Sequence, residues 1–148
     1  MGERLVSRWH PWQVARAALI DVRREKLEVA GAWDPDQPDI IWLDQDLGQA
    51  GRRSTLTHEL IHRQRGDEAG CTPWHDRHQE RRVDFEAARQ LIPLDAFVDA
   101  LLWGQDEHEL ADELWVDVAT VRARIEGLST NEFRLIDERL WAAEGTLP

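Results

Sequence analysis

Thr55-Leu56-Thr57-His58-Glu59-Leu60-Ile61-His62 decides how the rest of this chain is read. Two histidines stand four residues apart, a glutamate follows the first, and apolar residues surround them. A helical period puts residues i and i+4 on one face, so the two imidazoles can converge on a single ion. Glu59 then lies about 100° further round the helix, near enough to act as general base on a water beside the ion without ligating it. Leu56, Leu60 and Ile61 give the helix an apolar side for anchorage. Two histidines on an amphipathic helix can also simply face solvent, so a third ligand is the discriminating feature.

Zn²⁺ held by two histidines takes a third protein ligand and keeps a fourth position open. Glu80, eighteen residues after His62, meets that need. It heads the stripe Glu80, Val83, Asp84, Ala87, Ala88 and Leu91, one face of a helix by its spacing. A face that is small and apolar after two carboxylates suits packing against the histidine-bearing helix. The alanines permit close approach, and Glu80 reaches the ion. Asp84, one turn on, accepts the other ring N–H of a ligating histidine. The competing reading is a partly buried Glu80 satisfied by Arg52 or Arg53. Manganese or iron would also suit a donor set of two histidines and a glutamate.

Outward from this pair, the period changes. Pro11 opens a helix through Ile20, Lys26–Trp33 alternates like a strand, and Ile40–Leu43 reads as a second strand. Asp34-Pro35-Asp36-Gln37-Pro38-Asp39 between them is turn chemistry. Ser54 or Thr55 is expected to cap the motif helix, which Gly66 ends. The next helix runs from about Asp76 to Ile92 and stops at Pro93. Further helices are expected over 95–103, 107–114, 118–126 and 130–143. The fold class is α+β and helix-dominated, with a small antiparallel N-terminal sheet packed on the metal-binding helix pair. Residues 1–98 are expected to form the zinc-binding domain, and 99–148 a helical, helix-turn-helix-like segment packed on it.

Composition sets the outer bounds. The 148 residues are enough for one domain with a real core. A net charge of −11 argues against nucleic acid as a nonspecific partner. No apolar run approaches the ~20 residues that span a bilayer, and Met1–Leu5 lacks the apolar stretch of a secretory signal. The single cysteine, Cys71, excludes an internal disulfide framework, so a cytoplasmic location is expected. Cys71 reads as a buried structural thiol, or as a zinc ligand in a resting state.

The motif helix, together with Glu80 to Pro93, resembles the ImmA/IrrE-type metallopeptidases. That family pairs a His-Glu-x-x-His helix with a second helix carrying Glu-x-x-Ala-Asn/Asp, a Phe-Ala-Ala-like stretch and Leu-Leu-Met-Pro. Counting back from Pro93 aligns Glu80 with the family's third zinc ligand and Asp84 with its Asn/Asp. The likeness covers about Asp39 to Leu94. Val83 stands where alanine is usual, and Phe85 comes one place early. The resemblance implies a zinc endopeptidase with a cytoplasmic protein substrate, a repressor-type transcription regulator of a phage, mobile-element or stress circuit.

There is no tyrosine to steady an oxyanion. His75 and His78 are the nearest donors in sequence, with Arg63 and Arg77 behind them. The span Glu109–Ile125 resembles a helix-turn-helix, but Arg122 and Arg124 are its only basic residues among many carboxylates, so it reads as scaffold or substrate-docking surface. Two other functions fit the same residues. One is a zinc-containing protein that sequesters a regulator without cutting it; the other is a DNA-binding regulator using the C-terminal helices.

Overall fold

The computed structural model describes residues 9–67 and 73–146, without the side chains of residues 73–75, 145 and 146. Pro11–Ala17 forms α1, Asp21–Glu25 β1, Gly31–Trp33 β2 and Ile40–Asp44 β3. Gln49–Arg65 forms α2 and Pro73–Leu91 α3. Leu94–Trp103 (α4), Glu107–Leu114 (α5), Val118–Glu126 (α6) and Thr130–Thr146 (α7) follow. The architecture is helix-dominated α+β with one small sheet.

That sheet is mixed, not antiparallel. Its order is β1-β3-β2, with β2 antiparallel and β1 parallel to β3. The turn at 34–39 reverses the chain between β2 and β3, as its prolines and aspartates require. β1 adds to the opposite edge of β3, aligned from Asp21 opposite Ile40 to Glu25 opposite Asp44. Nothing in the side chains of Asp21-Val22-Arg23-Arg24-Glu25 alternates apolar with polar, which is why the strand escapes a pattern reading. Backbone pairing holds it, while the central strand supplies the fully buried Ile41 and Leu43. Within 26–33, only Gly31–Trp33 is strand. α1 stops at Ala17 instead of Ile20, and Leu19 turns the chain with φ 57°.

α2 begins at Gln49 after Gly48, with no side-chain cap. Ser54 and Thr55, expected to cap it, are instead buried in its second turn. Ser54 Oγ accepts the backbone N–H of Asp117 at 3.3 Å. The far end is closed by Gly66 in the left-handed region, φ +68°. The Gly66 N–H donates to Arg63 O and the Asp67 N–H to Arg63's neighbour His62 O, the paired bonds of a Schellman cap.

Ile61 of α2 meets Val83 and Ala87 of α3 in a small apolar cluster beside the motif. Val83 is fully buried, a contribution of roughly 1.5–3 kcal/mol. Val83 and Ala87 of the stripe read from the sequence thus form the α2–α3 seam, and Ala88 and Leu91 are also buried. A larger core of Leu91, Ile92, Phe97, Leu110, Val121 and Ile136 joins the end of α3 to α4–α7. Arg53 of α2 ties the pieces together, donating to the Trp9 and Trp115 carbonyls at 3.1 Å each. Among the described residues, no helix is long and apolar enough to cross a membrane.

Candidate metal centre

Packing of α2 against α3 brings His58, His62 and Glu80 together. The two histidine Nε2 atoms lie 3.2 Å apart. The Glu80 carboxylate spans them, Oε2 at 3.0 Å from His58 Nε2 and Oε1 at 2.8 Å from His62 Nε2. One ligand atom from each residue falls within 4.8 Å of the others. Nitrogens bound at 2.0–2.1 Å to a tetrahedral ion sit about 3.3 Å from one another, so the spacing fits a divalent metal with little movement.

Both rings are oriented from behind. His58 Nδ1 donates to Asp84 Oδ1 at 3.0 Å, the arrangement expected from the sequence. His62 Nδ1 donates to Asp67 Oδ2 at 3.0 Å, and Arg65 Nε donates to the same oxygen at 3.0 Å. With each Nδ1 engaged, both Nε2 lone pairs are directed at the common centre. Asp67 was not among the residues read from the sequence. The Schellman cap places it: the Gly66 turn folds the chain back and pins Asp67 N–H to the carbonyl of His62 itself. A carboxylate immediately after a helix-terminating glycine was the available signal.

The charge balance suits a cation. Burial alone would lower the His58 pKa, but hydrogen bonds to Asp84 and Glu80 outweigh it and push it up to about 10. His62 is also raised, by Glu80 against the effect of burial. The Glu80 carboxyl is held far below the usual carboxylate range by hydrogen bonds from His58 and His62. Carboxylates that favour protons on these imidazoles also favour a divalent cation in place of the protons.

Glu59 is nearly buried, 7% exposed, and lies close under β2. Burial pushes its pKa up, against the opposing pull of the His58 and His62 charges. The triad opens into a cleft of about 750 Å³ walled by β2, α2, α3 and α6. His78 is exposed and lines a neighbouring cavity with Arg77 and Arg81. Cys71 and the side chain of His75 lie outside the described residues.

In α6, Ala119, Thr120 and Ala123 face the cleft. Arg122 pairs with Glu107 at 2.6 Å. Arg124 is buried and donates to Ile92 O and Glu132, each at 2.8 Å. Both arginines of the helix-turn-helix-like segment are therefore engaged within the protein.

A family model described as the IrrE N-terminal-like domain (Peptidase_M78) matches residues 15–126, which span every residue of the centre. No curated protein and no solved structure matches the chain. The chain belongs to this family, and a metallopeptidase-type function comes with that membership.

Proposed function

We propose, from membership of the IrrE N-terminal-like family and the geometry of the centre, that the chain is a zinc-dependent endopeptidase. Its substrate would be a cytoplasmic protein, a repressor-type transcription regulator. The observation that carries this reading is the convergence of His58 Nε2, His62 Nε2 and both Glu80 oxygens beside a buried Glu59. Bound by His58, His62 and Glu80, a divalent ion supplies Lewis-acid polarisation and acidifies water near neutral pH.

The protein's own groups do the rest. Asp84 and Asp67 hold the imidazoles in one tautomer and one orientation. Glu59, its proton affinity raised by burial, takes the proton of an attacking water and returns it to the departing amine. Among the described residues β2 pairs with β3 alone, so its other edge is open to a further strand. Gly31, Ala32 and Trp33 line the cleft. An extended substrate added to that edge would be held through its main chain, with little demand on sequence.

Glu59→Gln is the test. It preserves shape and removes the base. Metal content should be unchanged, and cleavage of a repressor substrate should fall by roughly 10²–10⁴-fold. Cleavage at the wild-type rate by a metal-loaded Glu59→Gln protein would overturn the mechanism.

A further inference from the structure

Four carboxylates of the cleft belong to the metal apparatus: Glu59, Asp67, Glu80 and Asp84. Three more line it without a part in that apparatus: Asp34, Asp76 and Asp117. Among the described residues no lysine or arginine lines it, although the chain carries eighteen of them against twenty-nine acidic residues. A divalent ion in the triad offsets two of these negative charges, and Arg65 pairs with Asp67. Asp34 and Asp117 therefore keep the cleft anionic when an ion is bound.

Asp34 and Asp117 line the cleft from different elements. Asp34 directly follows β2, and its Oδ1 accepts the Asp36 N–H at 2.9 Å. Asp117 caps α6, its Oδ1 accepting the Thr120 N–H at 2.8 Å and the Thr120 hydroxyl at 2.6 Å. These bonds fix where the carboxylates sit without cancelling their charge. Among the described residues, neither forms an ion pair. A chain laid along β2 would run past Asp34 in the cleft that Asp117 of α6 also lines. Charges in a walled cleft act more strongly than on an open surface, because the low-dielectric walls focus the field.

We propose that Asp34 and Asp117 are specificity-determining residues that select a cationic peptide segment, one carrying arginine or lysine on its docked stretch. The inference rests on the peptidase reading for its purpose, but not for its test. Neutral acidic-free segments would dock through backbone alone, and acidic segments would be repelled.

The test separates docking from cleavage. Full-length metal-loaded Glu59→Gln protein is titrated with fluorescein-labelled (Ala-Arg)₅ and (Ala-Glu)₅ peptides, followed by anisotropy at moderate salt. The comparison adds Asp34→Asn with Asp117→Asn, in which asparagine keeps the turn and cap acceptors while removing charge. A control double variant, Asp137→Asn with Glu138→Gln, removes the same charge from the exposed face of α7. At roughly threefold per partly exposed carboxylate, the cleft variant should bind (Ala-Arg)₅ about tenfold more weakly, and the control less than twofold. Equal losses in both variants, or equal binding of both peptides, would overturn the proposal. Incubation of wild-type enzyme with a mixed-sequence peptide library, read by mass spectrometry, tests the peptidase reading separately. Absence of any cut there would count against that reading while leaving the anisotropy result to decide the docking preference.

Discussion

Gly31 lies where β2 packs on Thr55 and Glu59 of α2, and its replacement tests that packing. A Cβ built at residue 31 would stand 2.5 Å from Thr55 Cγ2, 3.1 Å from Trp42 O and 3.4 Å from Glu59 Cγ. The first contact is almost an ångström short of ordinary van der Waals distance. Thr55 is buried and Trp42 O belongs to the paired neighbouring strand, so neither gives way freely. Overpacking of this kind costs about 1–3 kcal/mol, against which alanine recovers about 0.4–1 kcal/mol by restricting the unfolded chain. Gly31→Ala should therefore lose about 1–2 kcal/mol net in urea denaturation. At roughly 2–4 °C per kcal/mol for a chain of this size, Tm should drop by about 2–8 °C. The clash is with one methyl group, which makes the cause separable. Thr55→Ser removes Cγ2, so the Gly31→Ala, Thr55→Ser double variant should be more stable than the sum of the singles by about 1 kcal/mol. Additivity within about 0.5 kcal/mol would refute the proposed contact and the closeness of β2 to Glu59 that it implies.

Three further outcomes follow from the geometry of the centre and of the C-terminal helices. Asp67→Ala should weaken metal binding by about 10–100-fold, measured by competition with a chromophoric chelator, because His62 loses the acceptor on its Nδ1; unchanged affinity would remove Asp67 from the site. Gly66→Ala should cost about 1 kcal/mol for a left-handed residue with a side chain and lower metal affinity as well, since the same turn places Asp67; a stability loss without an affinity change would uncouple the two. Glu132 is held below its usual 4.5 by the hydrogen bond from Arg124, so its contribution to stability is fully present above that value and disappears as pH falls through the lowered one. Glu132→Gln should accordingly be less stable than wild type at pH 7, with the difference closing below about pH 4.5; a gap that persists in acid would exclude the ion pair as its source.

The candidate metal centre was far more legible in the sequence than the sheet that roofs it. His58, Glu59 and His62 announce themselves by spacing on one helix. Glu80 and Asp84 show through the small-residue face that a close helix pair requires. Asp67 was hidden because its position depends on a left-handed turn at Gly66, a backbone event that spacing does not express. β1 was hidden for another reason. Its charged side chains bury almost nothing, and only hydrogen bonding to β3 makes it a strand. The parallel pairing of β1 with β3 is likewise a property of chain routing, not of side-chain pattern. The C-terminal helices fall close to their expected ranges, and the structure shows Asp106 capping α5 and Asp117 capping α6. That Arg124 lies buried against Ile92 O could not be read from a residue type that is usually exposed.

The most direct test of the central claim is metal content. Wild type and Glu80→Ala, purified without added metal or chelator, would be compared by inductively coupled plasma mass spectrometry, with folding followed by circular dichroism. A centre built from His58, His62 and Glu80 predicts about one zinc per wild-type chain and a marked loss in the variant. A folded wild type that carries no divalent metal, and takes up none when zinc is supplied, would contradict it.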